Sequence, residues 1–231
     1  MMTTRPHGLL LALALCALLG ACAGDPAVAA GQSGSPAADD YTLVGPASYL
    51  TGYPAVNADG TVNVVVEIPA GSNQKWEVDK ADGALRWELR AGRPRVVAYL
   101  GYPGNYGMVP RTLLPSEGGG DGDPLDVLVI GAPAGRGEVL RCRVIGVLGL
   151  FDGGETDDKL LAVAEGNAFS DLADLAELER RFPGVREIVE TWFVNYKGPG
   201  ELRSGGWRGA EAAQAVLEAA VEAFGEGPAG A

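Results

Sequence analysis

Residues 62–68 read Val-Asn-Val-Val-Val-Glu-Ile and stop at Pro69-Ala70-Gly71, so a β-branched run ends in a turn. Residues 75–79, Lys-Trp-Glu-Val-Asp, alternate polar and apolar, which predicts a half-buried strand. Ala81-Asp82-Gly83 is a hairpin turn into a further strand at 85–89. A short strand is expected at 96–100. The most apolar stretches, 125–130 and 139–151, predict buried strands, and 159–163 adds another. Cys142 lies within the second of these and is read as a small buried hydrophobe.

The period then changes. Residues 171–182 and 185–196 have helical spacing, broken by Pro183-Gly184. Residues 209–224 are Ala- and Glu-rich, with Ala213, Val216, Leu217, Ala220, Val221 and Phe224 along one face of an amphipathic C-terminal helix. Many short strands followed by helices predict an α+β fold: a small closed OB-like β-barrel with flanking and C-terminal helices. Residues 41–225 form this domain, with a flexible tail at 226–231.

The N-terminus is read as an address. Arg5 precedes an apolar run from Leu9 to Leu19 that is short for a membrane span. Leu19-Gly20-Ala21-Cys22 resembles the lipobox of bacterial lipoproteins, which makes 1–22 a lipoprotein signal peptide and implies a lipidated Cys22. An ordinary secretory signal cleaved near Ala23 or Ala30 is the alternative. Residues 23–40 are Ala, Gly, Ser, Pro and Asp without apolar period, a disordered tether. The expected location is therefore outside the cell membrane, lipid-anchored to the bacterial cell envelope on the periplasmic or cell-surface side.

Composition narrows the chemistry. The one histidine is His7, and Cys16 and Cys22 also lie in the N-terminal segment, so the folded part has no His and one Cys. That excludes Ser-His and Cys-His nucleophiles, a disulfide framework, and zinc held by imidazole or thiolate. The net charge of −12 argues against nucleic acid as a partner. Metal chemistry, if present, rests on carboxylates, which suit Mg²⁺, Mn²⁺ or Ca²⁺.

The densest acids are Asp121-Gly122-Asp123-Pro124-Leu125-Asp126, directly before an apolar strand. Carboxylates so close repel one another unless a cation sits among them. Gly122 and Pro124 suit a tight turn, which would gather the acids at a strand mouth. Further clusters are Lys75 with Glu77 on one strand face, Tyr102-Pro103-Gly104-Asn105-Tyr106, the stretch from Asp152 through Asp157 and Asp158 to Lys159, and Tyr196-Lys197. Lysines are few: Lys75, Lys80, Lys159 and Lys197. Singly each cluster has an ordinary structural explanation. Together they describe a polyanion held by metals and fixed donors.

In this order the clusters resemble the family I soluble inorganic pyrophosphatases, over residues 64–224. The signature Asp-x-Asp-Pro-x-Asp is matched by Asp121, Asp123, Pro124 and Asp126. Glu67-Ile68-Pro69, Lys75-x-Glu77, Asp157-x-Lys159 and Tyr196-Lys197 match as well. The resemblance implies hydrolysis of pyrophosphate to two phosphates by direct attack of a metal-bound water, with no covalent intermediate. It implies several Mg²⁺ ions per site, with Mn²⁺ as a substitute. Asp121, Asp126 and Asp157 would bind the activating pair, Asp152 a further ion, and Glu67 and Glu77 would line the same cavity. Asp123 would be the general base. Lys75, Arg90, Tyr106, Lys159, Tyr196 and Lys197 would grip phosphate oxygens, supported by Tyr102. Arg90 is taken from a stretch that also holds Arg93 and Arg95. Family members differ in assembly, so a homo-oligomer is a possible partner state.

Two other readings remain: a metal- or phosphate-capture lipoprotein without turnover, and an OB-like interaction module. Asp123, Lys159 and Tyr196-Lys197 speak against the first. The acidic charge counts against nucleic acid for the second.

Overall fold

Strand β2 (Val62–Ile68) is buried at every position, because both its faces are covered. It pairs antiparallel with β7 (Asn105–Met108), and β7 pairs antiparallel with β8 (Asp126–Ile130). Strand β11 (Lys159–Ala164) runs parallel to β8 and antiparallel to β9 (Val139–Asp152). The first residues of β9 return to β2, from Val62↔Cys142 to Val65↔Val139, and close the ring. The closed OB-like barrel predicted from the sequence is therefore present, in an α+β chain. The computed structural model describes residues 41–226. The signal reading, Cys22, the tether and 227–231 lie outside the described residues.

Beyond Cys142, β9 exchanges β2 for β12 (Leu202–Gly209) on the same edge and also pairs with the short β10 (Glu155–Thr156). Outside the barrel, β4 (Leu85–Trp87) lies between β1 (Thr42–Leu43) and β3 (Trp76–Val78) and pairs antiparallel with both in a small sheet. The alternation of β8 shows how the core is divided. Val127 and Val129 join the cluster that holds Ala213, Leu217 and Ala220 of α3 (Ala210–Glu226). Leu128 and Ile130 join the cluster that holds Leu175 and Leu178 of α1 (Leu175–Arg181) and Trp192 and Phe193 of α2 (Val185–Asn195).

The helices follow their sequence signals. Asp174 caps α1 by accepting from the Glu177 N–H at 2.8 Å, so the helix begins later than residue 171. Gly184 at φ 87° breaks α1 from α2.

Four expectations are corrected. Residues 96–100 are not a strand: the stretch makes one bridge, Gln74↔Val96, and Val97 N–H goes to the Asn73 carbonyl at 2.8 Å instead of a ladder. The strand expected at 85–89 ends at Trp87. A separate hairpin follows, β5 (Leu89–Arg90) with β6 (Arg93–Pro94), turning through Ala91 and Gly92 at φ 52° and 74°. The Tyr-Pro-x-Asn-Tyr stretch, read as a turn, runs into β7. Its strand depends on Gly107, where a Cβ would lie 1.8 Å from the Val65 carbonyl oxygen. Strand β12 carries glycines and no apolar alternation, so it has no period to read.

Candidate active site

The register of the barrel builds the site. In the parallel β8–β11 pair Lys159 stands opposite Asp126, at the start of both strands. Lys159 is buried, and its ammonium donates to the carboxylates of both Asp126 and Asp157. Burial opposes that charge, but the two carboxylates override it and hold the Lys159 pKa well above its ordinary value. Burial pushes the Asp157 carboxyl up, with Lys159 opposing and Asp126 reinforcing. Asp158 faces the other way and pairs with Arg208. Period-two alternation thus separates a site carboxylate from a structural one.

Glu67 is the extra residue of a bulge, since Val66 pairs Gly107 and Ile68 pairs Tyr106. The bulge aims its carboxylate inward, where it accepts the Val78 N–H at 2.7 Å. Burial pushes Glu67 up to about 8; Lys75 opposes this and Asp126 adds to it. Lys75 lies 3.8 Å from Glu77 and 5.6 Å from the centroid of the Tyr106 ring. Burial works against the Lys75 charge, yet Glu67, Asp126 and Glu77 together raise its pKa.

In the acidic turn, Gly122 takes φ 76°, and the Asp123 N–H donates to the Asp121 carboxylate at 2.9 Å. Burial raises the Asp121 carboxyl. Asp123 is half-exposed and ion-paired with Lys80, whose ammonium also donates to the Gly122 carbonyl at 3.2 Å. A cavity of about 810 Å³ opens here, lined by Glu67, Lys75, Glu77, Tyr106, Asp123 and Asp126, with Lys80 at its wall.

At the far end of β9, Asp152 pairs with Lys197. Helix α2 delivers Tyr196 and Lys197 at its C-terminus and seats Tyr196 flat on Trp192, at 4.7 Å and 10°. Trp192 also contacts Tyr102 at 4.2 Å, and Tyr102 contacts Tyr106 at 5.0 Å. Burial raises the pKa of all three tyrosines, so their hydroxyls stay protonated donors. Asn105 ties the region together: its Oδ1 accepts from Ala70 N–H at 3.0 Å and Ala134 N–H at 2.8 Å.

The sequence choice among the three arginines changes. Arg90 is exposed on the β5–β6 hairpin. Arg95 is half-buried, holds Glu88 at 2.5 Å and acts electrostatically on Tyr102. Arg95 is thus the half-buried one of the three and the one that acts on Tyr102, while all three line a space with Tyr196 and Lys197. Lys80 was also missed. Its signal was available, as one of four lysines in an acidic chain, all of which the fold places against site carboxylates.

The donors suit a hard divalent cation. They are all oxygen, and burial raises Glu67, Asp121 and Asp157, a sign of negative charge short of compensation. Among the described residues no three carboxylates are gathered at ligating distance. Lys159 stands between Asp126 and Asp157 instead.

A closed OB-like barrel with an acidic, lysine-lined cavity at strand starts defines a metal-assisted, phosphate-handling class of protein. Comparison narrows the class. The family model described as Inorganic pyrophosphatase matches residues 64–225. The inorganic pyrophosphatase of Xanthomonas campestris pv. campestris is 38% identical over 176 residues, which cover 73% of this chain and 92% of that protein. The inorganic pyrophosphatase structure from Schistosoma japonicum superposes with a TM-score of 0.74 at 28% identity, covering 80% of this chain and 75% of that one. That from Thermus thermophilus gives 0.64 at 30% identity, covering 77% and 99%. The chain belongs to the inorganic pyrophosphatase family, whose members depend on metal.

Proposed function

We propose that this chain hydrolyses inorganic pyrophosphate to two phosphates. The observation that carries the reading is the cavity in which Asp123, Asp126, Glu67 and Lys75 meet at the barrel mouth. Glu67, Glu77, Asp121, Asp126, Asp152 and Asp157 would hold several divalent cations, Mg²⁺ with Mn²⁺ as substitute. Bound there, such ions acidify water and neutralise phosphate oxygens.

The chain's own residues do the rest. Asp123 accepts a proton from the attacking water, and its half-exposed carboxylate can exchange Lys80 for that water. Lys75, Arg95, Tyr196 and Lys197 bind the phosphate oxygens, supported by Tyr102 and Tyr106. Lys159 offsets charge on the departing phosphate while keeping Asp126 and Asp157 in register. The water oxygen bonds one phosphorus as its bond to the bridging oxygen breaks. No enzyme nucleophile takes part: burial pushes the Cys142 thiol up to about 12.

Phosphate release from pyrophosphate by the purified chain, with and without millimolar Mg²⁺, tests this. Mg²⁺-dependent release supports it. A folded, metal-binding chain that releases nothing would make it a capture protein instead.

The location rests on sequence alone. Residues 1–22 direct export and Cys22 carries a lipid anchor, so the domain works on pyrophosphate outside the cytoplasm. Cell fractionation decides this: the wild-type chain goes with membranes, Cys22→Ala does not, and mature wild-type protein in the cytosol would sink the idea.

A further inference from the structure

A second cavity, of about 600 Å³, lies behind the β5–β6 hairpin. Its cationic lining is Arg90, Arg93, Arg95 and Lys197, against one carboxylate, Glu201. In a chain of net charge −12 this is a local reversal of sign. Arg95 is paired with Glu88 and Lys197 with Asp152. Arg90 and Arg93 have no carboxylate partner among the described residues.

The two unpaired arginines face each other. Arg90 is the cross-strand partner of Arg93, so both side chains leave the same face of the hairpin. Like charges directly opposite are destabilising. The turn between them adds a cost, since Ala91 sits at φ 52°, where a Cβ is strained. Nothing in the packing offsets these costs: Leu89 is half-exposed and both arginines are in solvent. A bound anion would remove the repulsion, because one phosphate group can accept from two guanidinium groups at once.

The second cavity contains residues that the proposed reaction also uses. Tyr196 and Lys197 line it, and they belong to the set that binds pyrophosphate. The hairpin itself separates the two spaces, with Leu89 on the wall of the first and Arg90 on the wall of the second. Arg90 and Arg93 share this cavity with Tyr196 and Lys197, so a phosphate chain held at its end by the latter pair has two further cations in the same space.

We propose that the hairpin forms a subsite for a third phosphate, so that this chain accepts linear phosphoanhydrides longer than pyrophosphate. The inference rests on the reading of the first cavity as the site of pyrophosphate hydrolysis. In tripolyphosphate, water oxygen bonds the terminal phosphorus at the metal end, and that phosphorus loses its bond to the bridging oxygen. The electron pair leaves with pyrophosphate, held by Lys197 and the hairpin. The products are one phosphate and one pyrophosphate, and the water's protons pass to Asp123 and then to solvent.

The test compares pyrophosphate, tripolyphosphate and ATP as substrates, with Mg²⁺, for the wild-type chain and for Arg90→Ala/Arg93→Ala. In the double variant KM for tripolyphosphate should rise about tenfold or more, as expected for lost charge-assisted contacts. Its loss in kcat/KM should be at least about tenfold smaller for pyrophosphate than for tripolyphosphate, because Arg95, Tyr196 and Lys197 remain to hold two phosphates. The conservative Arg90→Lys/Arg93→Lys should recover part of the tripolyphosphate affinity. ATP turnover with the same sensitivity would place the source of the third phosphate in nucleotides as well, and refusal of ATP would restrict it to inorganic chains. Equal losses on pyrophosphate and tripolyphosphate would overturn the subsite, and so would a wild-type chain that neither cleaves tripolyphosphate nor is inhibited by it. If pyrophosphate itself is not cleaved, the underlying reading has failed. Calorimetric binding of tripolyphosphate, compared between wild type and the double variant, then judges the subsite separately.

Discussion

Lys159 stands directly across the parallel β8–β11 pair from Asp126 and closes an ion pair with it deep in the barrel mouth. The same ammonium holds Asp157, so one buried cation serves two carboxylates. Removing it leaves two buried negative charges side by side. Lys159→Met should lose about 3–5 kcal/mol of stability in chelator, the range for a broken buried pair. Millimolar Mg²⁺ should restore part of that loss, because a divalent cation can take the ammonium's place. Urea denaturation with and without metal checks both statements; a variant equally unstable in Mg²⁺ would show that the carboxylates do not receive the ion.

Lys80 pairs with Asp123, the proposed general base, at the surface, where both partners are half-exposed. Stability should therefore change by no more than about 1 kcal/mol in Lys80→Ala. Catalysis is where the change should appear. With a positive charge removed from the acidic turn that also holds Asp121, half-maximal activation should need less Mg²⁺. An unchanged or raised Mg²⁺ requirement would assign Lys80 to substrate binding.

Asp123 itself is separable from the fold. Its carboxylate touches Lys80, and the N–H that shapes the turn belongs to the backbone, which Asp123→Asn keeps. Turnover should drop by roughly 10²–10⁴-fold, the range for a lost general base. Metal binding measured by calorimetry should persist, and its disappearance would make Asp123 a ligand.

Glu67 gives a pH signature. Folded, its carboxyl titrates near about 8 because of burial, against an ordinary value of 4.5. Between those values the folded chain keeps a proton that the unfolded chain has released, so stability falls as pH rises. The contribution is complete below the unfolded value and gone above the folded one. The slope approaches about 1.4 kcal/mol per pH unit for this group alone. Asp121 and Asp157, also raised by burial, act in the same direction. Denaturation in chelator across this range should show the decline, and Glu67→Gln should flatten it. A slope unchanged in Glu67→Gln would mean that the proton resides elsewhere.

Much of this was legible in the residues, and the omissions have physical causes. Strands β8 and β11 announced themselves through near-continuous apolar runs, β2 through its β-branched residues, and β9 through the apolar stretch after Arg143. Asp121, Asp123 and Asp126 stood out through their density. Strand β12 carries Gly205, Gly206 and Gly209 in place of apolar side chains, and β7 depends on Gly107 beside the Val65 carbonyl, so neither leaves a period to read. Arg95 was hard to single out because Arg90, Arg93 and Arg95 lie close together in sequence, and only the pairing of β5 with β6 separates their settings. Lys80 was counted but not placed, since its partner lies 43 residues away in sequence. No pattern along a chain encodes that pairing.

Strand β9 closes the barrel at one end and carries Asp152 at the other. Its length is therefore a measuring rule between the structural seam and the site. Deleting a single residue from it would reverse which side chains face inward and withdraw Asp152 together with the closure, so folding and activity would fail in one step. The hairpin before Arg95 is under no such constraint. A residue added or removed at the turn of that hairpin would leave the ruler its length.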